Sequence, residues 1–241
     1  MTMLRDRATP RGRTIAIVAL PLILIAAFAL ASYTPLFAAR DVRIEGATTL
    51  SRQQVLALAG IGPGTNVFHL DANAVESALM SDPRVASATI ERHLPGTVVI
   101  QIVERTPVAR STSGSTTVAI AGDGVILPGA STNGLPEIRA SVGELPDALR
   151  AAAARALSSL GPSIRARVAA VVAQPTGELM IDLAGGLTVR YGPDGDDVAK
   201  AAALRAVFAW AADQGATLRD IDVSVPSAPS ATLADGSTVT P

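Results

Sequence analysis

Few side chains in this sequence could do chemistry, and they do not form a known site. The chain has two histidines, His69 and His93, and no cysteine. Thiol catalysis and zinc–thiolate sites are therefore excluded, because both need a cysteine. We expect the two histidines, one in a loop and one at a strand end, to be polar surface residues. No G-x-S-x-G, P-loop or H-E-x-x-H motif occurs.

Three aspartates around Gly195 could hold a calcium ion. Asp194, Asp196 and Asp197 lack the spacing and the closing glutamate of an EF-hand loop. We interpret them as the start of a helix, where aspartate in the first turn favours the helix dipole. Lys200 could be a catalytic base if it were desolvated, but its i, i+3 spacing from Asp197 favours an ion pair on a helix surface.

Glu104 and Arg105 are a further charged pair, which we interpret as an ion pair at a strand end. None of these groups makes an active site, so the sequence predicts a protein that is not an enzyme, with no cofactor and no metal centre. The formal net charge of −1 gives no reason to expect a nucleic-acid partner.

The elements that could position a binding site begin with an apolar segment. Residues 15–37 carry no charge and follow Arg5, Arg7, Arg11 and Arg13. As a helix, this run would span about 34 Å, enough to cross a bilayer. We predict a cytoplasmic segment 1–14 and a transmembrane helix 15–38, with the bulk outside the cell membrane because basic flanks stay inside. A cleaved signal peptide, with Ala29-Leu30-Ala31 before the cut, is the alternative.

The next segment predicts the order strand, helix, helix, strand, strand. Residues 41–45 alternate as in a half-buried strand. Ser51 with Gln54 forms a capping box before a first helix that ends at Gly60, and Asp71 caps a second. Two strands at 85–93 and 97–104 are joined by Leu94-Pro95-Gly96. The segments VRIEGATTLS, GIGPGTNVF and DPRVASATIERHLPGTVVIQIVERTPVA closely resemble the POTRA domain of the bacterial division family FtsQ, also called DivIB. We predict an α+β fold, with a POTRA domain at 40–108.

Residues 109–226 resemble, more diffusely, the C-terminal β domain of the same family. Gly122-Asp123-Gly124 marks a hairpin, Pro146 begins an alanine-rich helix, and three strand candidates lie between residues 168 and 191. The YG turn, Lys200 and the closing IDVSVP strand carry this resemblance. We expect a mixed α/β domain with a largely antiparallel sheet, followed by a disordered tail at 227–241.

Partner binding is the function that fits an anchored protein of this kind. Residues 219–225 are the best candidate edge strand, with Ile221, Val223 and Val225 on one face as candidate partner-binding residues. The alternative is that a further strand, or the tail at 230–240, covers this edge.

The resemblance implies a bitopic scaffold at the division septum that binds FtsB/DivIC and FtsL partners and helps to control septal peptidoglycan synthesis. Two other functions stay open. One is a POTRA adaptor for protein secretion or envelope assembly, although no membrane barrel follows here. The other is a membrane-anchored cell-wall hydrolase, which would need a nucleophile or paired carboxylates.

Overall fold

The computed structural model describes residues 11–240, and it divides the chain into two compact units after Glu104. The helices are α1 (Arg11–Ser32), α2 (Arg52–Ala59), α3 (Ala72–Met80), α4 (Asp147–Ser159), α5 (Pro162–Arg165) and α6 (Asp197–Gln214). The strands are β1 (Asp41–Glu45), β2 (Val85–His93), β3 (Thr97–Glu104), β4 (Pro107–Ser113), β5 (Thr116–Ala121), β6 (Ile126–Leu127), β7 (Glu137–Ala140), β8 (Val168–Ala173), β9 (Leu179–Leu183), β10 (Thr188–Gly192), β11 (Leu218–Asp222), β12 (Ser230–Leu233) and β13 (Thr238–Val239). The fold is mixed α and β, as predicted.

The first unit contains α1 and a three-stranded sheet in the order β1-β3-β2. β1 runs parallel to β3, and β2 runs antiparallel to it. Both predicted helix starts are confirmed: Ser51 and Gln54 form the capping box, and the Asp71 side chain accepts from the Ala74 N–H. Helices and sheet share one core, whose fully buried side chains include Val55, Leu79 and Ile100.

Glu104, at the end of β3, ties the sheet to the turn that precedes α2. Its carboxylate accepts hydrogen bonds from the backbone N–H groups of Thr48, Thr49 and Leu50 and from the hydroxyls of both threonines, at 2.7–3.0 Å. Partial burial opposes ionisation, but these donors outweigh it and lower the pKa of Glu104 to about 2. The side chain therefore fixes a turn that lies more than fifty residues earlier in the sequence.

The N-terminal helix differs in its bounds from the segment predicted at 15–38. α1 ends at Ser32, and a 3-10 turn follows at Pro35–Phe37. Most of the predicted cytoplasmic segment, residues 1–10, lies outside the described residues. Among the described residues, no helix is long and apolar enough to count as a membrane span.

The second unit is a ten-stranded mixed sheet in the order β13-β12-β11-β10-β9-β8-β7-β4-β5-β6. Three neighbouring pairs are parallel, namely β10 with β11, β4 with β7 and β7 with β8, and the others are antiparallel. Helices α4 and α6 pack against each other and against the sheet. Their buried faces are rich in alanine, which lets helix and sheet backbones approach closely.

The prediction of a disordered tail at 227–241 is wrong for most of that segment. β12 pairs with β11, and β13 pairs with β12, both antiparallel. Ala231 is 1% exposed and belongs to the core of the second unit. A chain segment can be poor in large apolar residues and still be ordered when it adds strands to a sheet that already exists.

Candidate partner-binding site

The predicted edge strand lies inside the sheet. β11 has β10 on one side and β12 on the other, so the prediction that it is an exposed edge is wrong. Ile221 and Val223 are 2% and 0% exposed and pack in the core of the second unit. Of the three predicted partner-binding residues, only Val225 is on the surface, at 56% exposed. A partner cannot reach Ile221 or Val223 without opening the sheet.

Within residues 11–240 the sheet ends at β13, which is joined to β12 by a tight turn. The Asp235 carboxylate accepts from the backbone N–H and the hydroxyl of Ser237 at 2.9 and 2.7 Å, and these bonds lower the pKa of Asp235. Gly236 has a left-handed φ of 87°, which glycine adopts at little cost. The turn is thus held by its own side chains.

The register of this hairpin decides which backbone groups face outwards. The Leu233 N–H donates to the Ser237 carbonyl at 2.8 Å, so this is a hydrogen-bonded pair. Such pairs alternate along an antiparallel ladder, and Thr232 opposite Thr238 is consequently a non-hydrogen-bonded pair. The N–H and C=O of Thr238 therefore point away from β12. These groups are a template on which an added strand could form hydrogen bonds.

The side chains of β13 would also suit an added strand. Val239 is half-buried and packs against the core of the second unit, whereas Thr238 is exposed. Because alternate residues of a strand face opposite sides of the sheet, a strand paired to β13 could extend the core with one set of its side chains. Its other set would lie over the polar face.

The polar face of the sheet near this end carries cross-strand ion pairs. The Arg190 guanidinium donates to Glu178 at 2.7 Å and lies 3.9 Å from Asp222. The hydrogen bond to Glu178 raises the pKa of Arg190. A shallow depression of about 180 Å³ is lined here by Met180, Thr188, Arg190, Asp220, Ile221, Asp222, Ser230 and Thr232. This surface offers charge and hydroxyl groups to a partner but no enclosed cavity.

Lys200 is not on the helix surface, so the predicted surface ion pair with Asp197 is wrong. It is 3% exposed, its ammonium donates to the Pro193 carbonyl, and it lies 5.2 Å from the centre of the Tyr191 ring. The Tyr191 hydroxyl, whose pKa is raised by burial, donates to the Asp197 carbonyl at 3.0 Å. These contacts fix the loop between β10 and α6.

The remaining candidates do not converge on a site. His69 lies 3.1 Å from the Ser32 hydroxyl, and His93 lies 3.4 Å from Glu91. Asp194 pairs with Arg155 at 2.7 Å, whereas Asp197 is the first residue of α6, as the predicted helix start required. The residues that the structure describes contain no group of three or more histidine, aspartate or glutamate side chains that could hold a metal ion.

Comparison with known proteins finds a family match for most of the first unit. Residues 37–105 match the family model described as a POTRA domain, FtsQ-type. Cell division protein FtsQ of Mycolicibacterium smegmatis is 31% identical over 198 residues, which cover 82% of this chain and 58% of that protein. FtsQ of Mycobacteroides abscessus is 29% identical over 214 residues, covering 88% of this chain and 67% of that protein.

The chain is therefore similar to FtsQ proteins over most of its length, and the family match to an FtsQ-type POTRA domain lies in residues 37–105. The chain spans 58% of the length of the M. smegmatis FtsQ. The extracytoplasmic domain of DivIB from Geobacillus stearothermophilus, a solved structure, is 17% identical with a TM-score of 0.33, covering 45% of this chain and 92% of that one. The similarity to that structure is too low to support an argument.

The hairpin formed by β12 and β13 was not predicted from the sequence, although a signal for it was present. Asp235-Gly236 lies between two segments that contain threonine and valine or leucine, which is typical of a hairpin turn. Because the flanking residues are small and polar, the segment was predicted to be disordered in spite of this signal.

Proposed function

We propose that this chain is a single-pass membrane scaffold of the division machinery, which binds FtsB/DivIC-like and FtsL-like partners outside the membrane. The observation that carries the proposal is the outer edge of β13, which pairs with no further strand within residues 11–240, in a chain that is similar to FtsQ. Scaffolding at the septum would help to control peptidoglycan synthesis there, by assembling other proteins and without turnover by this chain.

Membrane attachment is supported by the N-terminal segment. Residues 15–37 are uncharged and follow a group of arginines. Residues 11–32 form one helix, and large apolar side chains such as Leu22, Ile25 and Phe28 are about 60% exposed on it. Exposed apolar side chains of this density are costly in water and suit a lipid environment.

We propose strand addition at β13 as the mode of partner binding. The outward N–H and C=O of Thr238 would pair with a strand of the partner, and Val239 would continue the apolar face into it. Val225, which follows β11 and is 56% exposed, is a further proposed contact. Thr238, Val239 and Val225 thus replace Ile221 and Val223 as the proposed contacts, because the latter two side chains are buried in the core.

The substitution Thr238→Pro tests strand addition directly. Proline removes the outward N–H and leaves the hydrogen bonds between β12 and β13 in place, because the Thr238 N–H does not face β12. The loss of one intermolecular hydrogen bond should weaken binding of FtsB and FtsL by roughly three- to tenfold. Thr238→Ala, which keeps the N–H, is the matched control and should bind like the wild type.

Binding would be measured with purified full-length chain in detergent, and thermal unfolding would show that both variants keep the wild-type fold. Equal binding by Thr238→Pro and Thr238→Ala would place partner docking elsewhere on the protein.

Localisation tests the division role separately. A fluorescent protein fused to Met1 should form a band at midcell that persists through constriction, in cells that express it in place of the native copy. A uniform envelope signal, in cells that divide normally without the protein, would contradict the division role and favour the secretion or assembly adaptor.

A further inference from the structure

The segment between α1 and the sheet of the first unit is held by backbone hydrogen bonds. The Val67 N–H donates to the Phe37 carbonyl, and the Ala39 N–H donates to the Thr65 carbonyl, both at 2.8 Å. A third bond of 2.8 Å joins the Arg40 N–H to the Gly96 carbonyl. The segment is thus tied both to the loop before α3 and to the turn between β2 and β3, and is not a free linker.

The C-terminal end of α1 is closed by the same loop. The Asn66 amide donates to the Ser32 carbonyl at 2.7 Å, and the His69 Nε2 lies 3.1 Å from the Ser32 hydroxyl. Ser32 is 3% exposed in consequence. Carbonyls at a helix end otherwise need water or a cap, so these contacts fix the loop onto the end of the helix.

Aromatic contacts pack the loop before α3 against the last turn of α1. The Phe68 ring centre lies 5.8 Å from that of Phe28 and 5.4 Å from that of Phe37, and the Tyr33 and His69 rings stack at 4.4 Å. Phe28 precedes Ser32 by four residues, which is about 6 Å along the helix axis. Phe68 therefore lies level with the last turn of α1 and not beyond its end.

Next to Phe68 is an exposed apolar surface with a positive charge at its margin. A cleft of about 290 Å³ is lined by Val67, Phe68, Arg92 and Leu94. Leu94 is 55% exposed, and Tyr33, on the helix end, is 75% exposed. We call Tyr33, Phe68, Arg92 and Leu94 the helix-end face.

We propose that the helix-end face rests on the outer surface of a phospholipid bilayer. The inference rests on the proposed function, in which α1 crosses the membrane. With α1 in the bilayer, Phe28 lies at the level of the acyl chains, and its contact with Phe68 brings the loop to the same boundary. A depth of about 6 Å is typical of apolar side chains in the interface between headgroups and acyl chains.

The charge and the residue types of the helix-end face favour phospholipid as its binding partner. Tyr33 is an aromatic residue of the kind enriched at membrane interfaces, and the long side chain of Arg92 can keep its charge among phosphates while Leu94 enters the acyl boundary. Phe68 also contacts Phe28, which is one of the exposed apolar side chains of α1 for which we propose a lipid environment. The POTRA domain would then be seated on the membrane at a fixed orientation.

Because the chain has no cysteine, single cysteines can report the depth of chosen positions. Leu94→Cys in the full-length chain would be labelled with an environment-sensitive fluorophore and reconstituted into vesicles of phosphatidylcholine and phosphatidylglycerol. Lipids with a spin label at the headgroup or deep in the acyl chain would serve as quenchers. Ile25→Cys, in α1, reports the anchor, and the exposed Glu45, about 13 Å along β1 from Asp41, gives the far-side control Glu45→Cys.

The label at position 94 should shift its emission to the blue and be quenched by the headgroup label, whereas the label at position 45 should not. The label at position 25 should be quenched by the deep label. Quenching at 25 with none at 94 would overturn the seated POTRA domain and leave the anchor intact. The absence of quenching at 25 would overturn the anchor itself, and the inference with it.

Discussion

Replacing Glu104 by glutamine removes the charge that organises the turn before α2. The carboxylate accepts five donors from Thr48, Thr49 and Leu50, and glutamine would present an amide N–H₂ to part of that set. Donors would then face donors, so the turn would lose hydrogen bonds as well as charge. We expect Glu104→Gln to destabilise the POTRA domain while leaving its fold intact.

The size of the effect follows from the pKa of Glu104, which falls from 4.5 to about 2 in the folded protein. This lowering of the pKa by about 2.5 corresponds to at most about 3.4 kcal/mol of stability, and exposure to solvent reduces the expected loss to about 1–2 kcal/mol. Because the folded-state pKa is depressed, this stabilisation is fully present above pH 4.5 and is lost as the pH falls towards 2. The difference between wild type and variant should shrink over that interval.

Hydrogen exchange at the amides of residues 48–50 and denaturant unfolding would be measured at pH 7 and again near pH 3. Glu45→Gln is the control, since it removes a charge from the exposed end of β1. Faster exchange at 48–50 in Glu104→Gln alone, with a stability difference that is smaller at pH 3, is the expected result. An effect equal to that of Glu45→Gln, or one unchanged between the two pH values, would refute the assigned role of the carboxylate.

Two further pairs of substitutions test the second unit. Lys200→Met should lower the free energy of unfolding by about 1–3 kcal/mol, because the Pro193 carbonyl loses the buried ammonium that donates to it, whereas Arg205→Met on the exposed face of α6 should have little effect. Equal melting temperatures for the two variants would contradict a structural role for the buried lysine. In denaturant unfolding, Ile221→Ala should lower the free energy of unfolding by about 2–5 kcal/mol and Val225→Ala by less than about 0.5 kcal/mol, since only Ile221 lies in the core. A larger loss for Val225→Ala than for Ile221→Ala would contradict the interior position of β11.

Local sequence signals predicted the POTRA domain to the residue at several points. Ser51 and Gln54 bond to each other's backbone, and Gly60 takes the left-handed conformation that ends α2. Strands at 41–45, 85–93 and 97–104 have the predicted bounds. Each of these features is decided by residues within about four positions of one another, which is the range over which caps, turns and alternation act.

Contacts between distant segments could not be predicted in the same way. Glu104 finds its donors 54 to 56 residues away, and nothing in its neighbourhood in the sequence distinguishes it from a carboxylate paired with Arg105. Lys200 has the i, i+3 spacing of a surface ion pair with Asp197, yet the helix turns it towards Tyr191 and Pro193. The burial of a polar side chain depends on which elements pack around it, and a local sequence pattern does not predict that packing.

The predicted edge strand at 219–225 shows why alternation alone cannot locate the edge of a sheet. Ile221 and Val223 alternate with Asp222 and Ser224 as an edge strand does, but an interior strand with one apolar face has the same pattern. What makes a strand an edge is the lack of a neighbour, and here the following eighteen residues supply the neighbour. β13, the last strand of the described residues, has two residues and little apolar surface. The binding proposed for it depends on the outward backbone groups of Thr238, which no side-chain pattern reveals.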